Sequence, residues 1–325
     1  MKEYVFIIVA TLLFSIQFLF TKKYQMVAGT ATEASFFQKM VSPIMFVFIL
    51  LCYNKFQFNV TPFAFTLALT NAVISNLIMF FSIKALATGS VANYSLYLLC
   101  GGMVLPVIYG AFVGDEFGVW KILSLVLILA AIAVKIDRKE KTSKLAFLCF
   151  AMLFILNGLV GIISSMHQGD LFDFKKVSSV EFMMLNSTLA IALGAIVFSV
   201  IAVKKRKEMN IKSYVKASPW AMCDGILNGV ANLLLLLSLK ELAPSLQYPI
   251  VTGGTIFLSA VFGFLVYKEK PTGRVWLAVG LAIVGTVVMA LGDLCFKSKK
   301  ASCTCYARRF FCEVYKNSGL GILCL

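Results

Sequence analysis

Long apolar segments, separated by short polar stretches, dominate the chain up to residue 294. There are ten of them: 4–20, 34–53, 63–83, 91–113, 119–136, 145–166, 180–203, 217–239, 245–267 and 275–294. A helix needs about 20 apolar residues to cross a hydrocarbon core about 30 Å thick. The pattern therefore predicts an all-α integral membrane protein with ten transmembrane helices.

Proline interrupts three of these segments, at Pro43, Pro106 and Pro249. Each proline lacks the backbone N–H that would bond to the carbonyl one turn earlier. In a membrane such a freed carbonyl is tolerated where a neighbouring helix or a cavity satisfies it. These positions are therefore candidates for irregular backbone inside the membrane.

Composition excludes several classes of protein. Of 325 residues, 60% are hydrophobic and only 14% are charged, whereas a soluble chain has about 25% charged residues. The net charge of +15 would suggest nucleic-acid binding in a soluble protein. Here the basic residues flank apolar segments, as expected near a membrane surface, so we expect the lipid bilayer and no nucleic acid as a partner.

An internal repeat relates the third predicted helix to the eighth. The stretch 76–87 reads NLIMFFSIKALA and the stretch 232–243 reads NLLLLLSLKELA. Each repeat would hold five helices, and an odd number places the second unit upside down, as in many secondary transporters. We therefore predict two inverted five-helix repeats, 1–144 and 145–296, followed by a disordered C-terminal tail, 297–325, whose cysteines have no assigned role.

The glycine pattern of both halves resembles the ten-helix EamA-like branch of the drug/metabolite transporter superfamily. Gly101-Gly102 is followed by Gly110 and Glu116, and the same order recurs from Gly253-Gly254 to Glu269 and on to Gly292. The stretch 14–22 resembles the family's first helix, and Gln38-Lys39 lies where many members carry a basic residue early in the second. The resemblance covers residues 4–294 and implies a multi-pass transporter of the cell membrane that carries a small-molecule substrate.

Two ionisable residues, Asp224 and Lys39, lie well inside predicted helices. Asp224 is followed at four-residue spacings by Asn228 and Asn232, so the three side chains share one helix face. An ionisable group in hydrocarbon is costly unless it faces a cavity or a partner. Asp224 is thus expected either to exchange a proton or bind a cation, or to make a structural hydrogen bond to another helix, with Gly225 and Gly229 forming a packing face.

Further polar residues inside the segments are candidates for the substrate pathway. Lys39 would either meet a substrate carboxylate or Asp224, or extend its side chain to the membrane surface. Asn76 and Asn232 are equivalent in the repeat and could share a site at the midplane. The full predicted set is Gln17, Lys39, Asn76, Asn93, Asn157, Asn186, Asp224, Asn228, Asn232 and Tyr248.

The sequence contains little that indicates an enzyme or a metal site. The chain has one histidine, so zinc motifs that need two histidines on one helix are absent. This histidine, His167, is expected in a loop. We expect no enzyme activity, metal or cofactor. The alternative to a transporter is a non-transporting membrane scaffold or receptor. The sequence does not determine the substrate, the direction of transport, the coupling ion or the oligomeric state. The orientation of the termini also stays open, because the distribution of basic residues and the family resemblance indicate opposite orientations.

Overall fold

The computed structural model describes residues 2–88, 91–113, 118–135, 144–168, 174–205, 209–238, 244–269, 272–289 and 291. The predicted disorder of the tail lies outside these residues. Eleven helices lie in the described part of the chain: α1 Lys2–Ala28, α2 Thr32–Val41, α3 Ile44–Tyr53, α4 Pro62–Thr88, α5 Val91–Val113, α6 Val119–Lys135, α7 Lys144–Gln168, α8 Ser179–Lys204, α9 Ile211–Ser238, α10 Pro244–Tyr267 and α11 Gly273–Met289.

Among the described residues, six apolar helical stretches are long enough to cross a membrane, and α2 and α3 together form one of them. They are Tyr4–Ala28, Thr32–Tyr53, Pro62–Thr88, Val91–Gly110, Leu145–Ser164 and Ser179–Lys204. Shorter apolar helices follow, and the described residues form no strand. The expectation of an all-α membrane protein with several spans is therefore confirmed over this part of the chain.

Local sequence signals explain where several helices begin. Proline occupies the first position of α4 and of α10, where its missing N–H is not needed. At the start of α8 the Ser178 hydroxyl accepts a hydrogen bond from the Glu181 N–H at 3.2 Å. The Glu181 carboxylate in turn accepts one from the Ser178 N–H at 2.9 Å, which completes a capping box.

The second apolar segment is broken, and the break lies at Ser42 and Pro43. The Ser42 N–H still bonds to the Gln38 carbonyl at 2.8 Å. Pro43 cannot make the next such bond, to the carbonyl of Lys39, because it lacks an N–H. The helical hydrogen-bond ladder is therefore interrupted between α2 and α3, although Ser42 and Pro43 keep right-handed helical dihedral angles and the two helices form one apolar stretch.

Helices α1 and α7 each pack against two other long helices. Helix α1 lies against α9 and α10, and helix α7 lies against α4 and α5. Helix α8 packs on α2 and α4, whereas α9 packs on α2 and α3. A buried apolar cluster joins α5, α6, α10 and α11 around Leu96, Ile128, Ile256 and Val279.

Hydrogen bonds also show which helix ends lie together. The Ser213 hydroxyl, at the start of α9, donates to the Val27 carbonyl near the end of α1 at 2.6 Å, so these two helices are antiparallel. Lys22 of α1 reaches Glu269, just after α10. We call this end of the bundle the basic end, because it also carries the exposed Lys268.

Candidate functional site

Asp224 lies at the midpoint of α9 and at the junction of three helices. Its side chain is 3% exposed. One carboxylate oxygen accepts a hydrogen bond from the Thr21 hydroxyl of α1 at 2.8 Å. The other accepts from the Ser42 hydroxyl at 3.2 Å and lies 3.4 Å from the Gln38 amide nitrogen. The carboxylate is therefore bound to α1 and to the broken end of α2.

A second set of hydrogen bonds continues along the same face of α9. The Asn228 amide donates to the Gln17 side-chain oxygen of α1 at 3.0 Å. The Asn232 amide donates to the side-chain oxygen of Asn228 at 2.9 Å and to its carbonyl at 2.8 Å. Asn228 and Asn232 are half-buried. The structure thus places all three polar residues of α9 on one face, with Gln17 and Thr21 opposite them.

Two glycines bring α9 close enough to the helix break for these bonds to form. A Cβ on Gly225 would overlap the carbonyl of Ser42. A Cβ on Gly229 would overlap the ring of Phe46, which is buried in α3. The packing role expected for these glycines agrees with this geometry. Because Gly225 follows Asp224 directly, close approach and hydrogen bonding occur at the same point.

Lys39 supplies the nearest opposite charge. It lies in the last turn of α2, next to Gln38, and is half-buried. Its ammonium group attracts the Asp224 carboxylate. The side-chain oxygen of Gln38 is buried and accepts no hydrogen bond from the described chain. We call Thr21, Gln38, Ser42 and Asp224, with Lys39 beside them, the Asp224 cluster.

The cluster balances two opposing effects on a carboxylate. Burial penalises the charged form, whereas hydrogen-bond donors and a nearby cation favour it. Two of the donors belong to the broken segment and one belongs to α1. Movement of either element away from α9 would therefore remove donors from the carboxylate and change the balance between its charged and protonated forms.

A second polar contact lies at the basic end. The Lys22 ammonium is 2.6 Å from the Glu269 carboxylate, and the two side chains are 15% and 11% exposed. The same carboxylate accepts from the N–H of Val91, the first residue of α5, at 3.0 and 3.1 Å. The carboxylate therefore joins α1, α5 and the segment after α10.

Asn76 and Asn157 make their hydrogen bonds outside the Asp224 cluster. The Asn76 amide donates to the Ala190 carbonyl of α8 at 3.1 Å, and the Asn157 amide donates to the Leu98 carbonyl of α5 at 2.7 Å. Asn76 and Asn232 thus have different partners, and no hydrogen bond joins them in the described chain. Asn93 lies half-buried in α5, Asn186 lies half-buried in α8, and only the backbone of Tyr248, in α10, is described.

His167 differs from its expected position. It lies in the last turn of α7 rather than in a loop and is 3% exposed. Its ring stacks on Phe182 of α8 at a centroid distance of 4.0 Å. Burial and, to a lesser extent, the positive charge of Lys176 lower the pKa of this histidine. Within the described residues, no group of three or more His, Cys, Asp or Glu side chains is placed to hold a metal ion.

Comparisons with known proteins support the fold alone. No family model matches the chain, and no curated protein matches it. Twenty-five solved chains match. One of them, described only as the crystal structure of a protein, superposes with a TM-score of 0.56 and 11% sequence identity. The match covers 89% of this chain and 96% of the other, so an arrangement of this kind has been seen in a crystal.

Proposed function

We propose that the protein is a secondary transporter that moves a small metabolite or drug-like solute across the cell membrane by alternating access, with a proton bound and released at Asp224. The observation that carries this proposal is the Asp224 cluster, in which a buried carboxylate is bound to α1 and to a membrane helix at the point where Pro43 interrupts its hydrogen-bond ladder. Discontinuous helices near the midplane form the substrate and ion sites of many transporters.

The helix contacts support ten spans arranged as two inverted repeats. In that arrangement α1 corresponds to α7, α4 to α9 and α5 to α10. If the two repeats are equivalent, the contact of α1 with α9 should have a counterpart between α7 and α4. The contact of α1 with α10 should likewise have a counterpart between α7 and α5. All four contacts are present. Two similar halves around a central region are what a rocking mechanism of alternating access requires.

The two halves differ in polarity, which supports a single coupling site. Ala68 precedes Asn76 by eight residues, as Asp224 precedes Asn232. Ala68 is fully buried in an apolar cluster with Leu156 and Phe182. The proposed charge movement is therefore confined to the contact of α9 with α1 and α2.

The decisive experiment uses Asp224→Asn in proteoliposomes. An asparagine keeps an oxygen that can accept from Thr21, and the unused oxygen of Gln38 can accept from the new amide after the Gln38 side chain rotates. We therefore expect the variant to fold. A thermal-shift screen with a metabolite panel would first identify a solute that stabilises the wild-type protein.

With that solute, an imposed pH gradient should drive accumulation by the wild-type protein and not by Asp224→Asn, although the variant still binds. Gradient-driven accumulation by the variant would refute proton coupling at Asp224. Solute binding without flux in the wild-type protein would instead identify a receptor, and absence of binding across the panel would favour a scaffold.

A further inference from the structure

An open groove of about 500 Å³ lies on the outside of the bundle at the basic end. Helix α1 forms its floor between walls from α9 and α10. The lining residues are Leu19, Phe20, Lys23, Met26, Trp220, Val266, Tyr267 and Lys268. The groove lies outside the Asp224 cluster, because it shares no residue with it.

The groove opens toward the hydrocarbon of the bilayer. Val5, Ile8 and Leu12 form an exposed stripe on α1 at helical spacing. The same spacing continues through Leu19 and Lys23 to Met26, which is 56% exposed. A membrane helix turns such a stripe toward lipid. The groove therefore forms where the lipid-facing side of α1 reaches the membrane surface.

Positive charge is concentrated at the membrane-surface end of the groove. The Lys23 ammonium lies 5.9 Å from the centre of the Trp220 ring. Lys268 is exposed and has a positive φ of 51°, where the chain turns away from α10. The neighbouring Glu269 is engaged by Lys22 and does not neutralise these charges. The described lining contains two lysines and no acidic side chain.

We propose that this groove binds an anionic phospholipid. The acyl chain lies along Leu19, Phe20 and Val266, and the phosphate lies between Lys23 and Lys268. Basic pockets between membrane helices at a membrane surface suit anionic head groups. Tryptophan at such a level has an apolar body and a polar N–H, as Trp220 would have beside the head group.

The test compares two double variants of the full-length protein in detergent. Lys23→Gln with Lys268→Gln removes both charges of the groove. Lys204→Gln with Lys205→Gln removes two charges at the end of α8, a helix that packs on α2 and α4 and not on the groove. Thermal unfolding is followed while phosphatidylglycerol or phosphatidylcholine is added to the micelles.

We expect phosphatidylglycerol to stabilise the wild-type protein more than phosphatidylcholine does. Its apparent affinity should fall about 30-fold in the groove variant and little in the α8 variant, since each lysine near an anionic surface contributes to binding. Lys268→Gln alone, at an exposed position, should weaken binding about fivefold. This single variant keeps the test valid if the loss of Lys23 impairs folding.

Two further measurements test the occupant. Val266→Trp would fill the apolar wall and should abolish the stabilisation although both lysines remain. Glycerol phosphate, a head group without acyl chains, should not stabilise the protein. Equal losses in the two double variants, no preference for phosphatidylglycerol, or equal stabilisation by glycerol phosphate would each overturn the proposal.

Discussion

The ion pair at the basic end should respond unequally to removal of its two partners. Glu269 accepts from Lys22 and also from the first N–H of α5, at Val91. Removal of Lys22 leaves the carboxylate with the Val91 N–H and the positive end of the α5 dipole. Removal of Glu269 takes away the carboxylate that Lys22 contacts at 2.6 Å and also leaves the start of α5 without its acceptor.

The geometry sets the size of this difference. Loss of one partner of a buried ion pair costs about 3–5 kcal/mol, and the partial exposure of both side chains places this pair at the low end. A lost N-terminal cap costs about 1 kcal/mol. We therefore expect Glu269→Ala to cost about 4 kcal/mol and Lys22→Ala about 2 kcal/mol. The double variant should cost less than the sum, since each single variant already removes the contact between Lys22 and Glu269.

Equilibrium unfolding in mixed micelles of detergent and sodium dodecyl sulfate can measure these free energies. Glu269→Gln is the matched control, because its side-chain oxygen can still accept from Val91 while the charge is lost. Its cost should lie close to that of Lys22→Ala. A cost for Lys22→Ala equal to or above that for Glu269→Ala would show that the carboxylate does not cap α5, and would refute this reasoning.

The helix contacts and the buried histidine lead to two more predictions. Gly225→Ala should destabilise the protein by about 1–3 kcal/mol, because a methyl group would meet the Ser42 carbonyl. Gly280→Ala is the control, because the space around its Cβ is open, and it should be neutral or slightly stabilising. Equal unfolding temperatures for the two variants would contradict this prediction. The lowered pKa of His167 disfavours its charged form in the folded state, so stability should fall as the pH drops below about 6.5. His167→Phe keeps an aromatic ring on Phe182 and should make stability less dependent on pH in that range. An unchanged pH dependence in this variant would contradict the assignment of the effect to His167.

Apolar pattern alone predicts much of the fold, because a span depends on the local sequence. Segment lengths locate the spans, and the spacing of Asp224, Asn228 and Asn232 predicts a shared face, which the structure shows turned toward α1. The break at Pro43 follows from the chemistry of proline. The sequence does not show that this break lies against Asp224, since that contact depends on how α9 packs.

Long-range partners are what the sequence does not reveal. Glu269 has Lys268 and Lys270 beside it in the chain, yet its ion pair is with Lys22, 247 residues away. Thr21 and Ser42 carry no distinguishing sequence pattern, because hydroxyl residues also bond within their own helices, as Thr11 does with the Ile7 carbonyl. The apolar segment that ends at residue 166 predicts a loop at His167, but this residue lies in the last turn of α7 and is buried against Phe182.

The bond between Thr21 and Asp224 has a consequence for how the protein is made. The two residues are 203 positions apart, so at about 5–20 residues per second a ribosome needs about 10–40 s to synthesise the second after the first. During that time Gln17 and Thr21 lack their partners on α9. We therefore expect the first helix to remain next to the insertion machinery or another polar surface until α9 is inserted, and a truncated chain that stops before α9 to be degraded by membrane quality control.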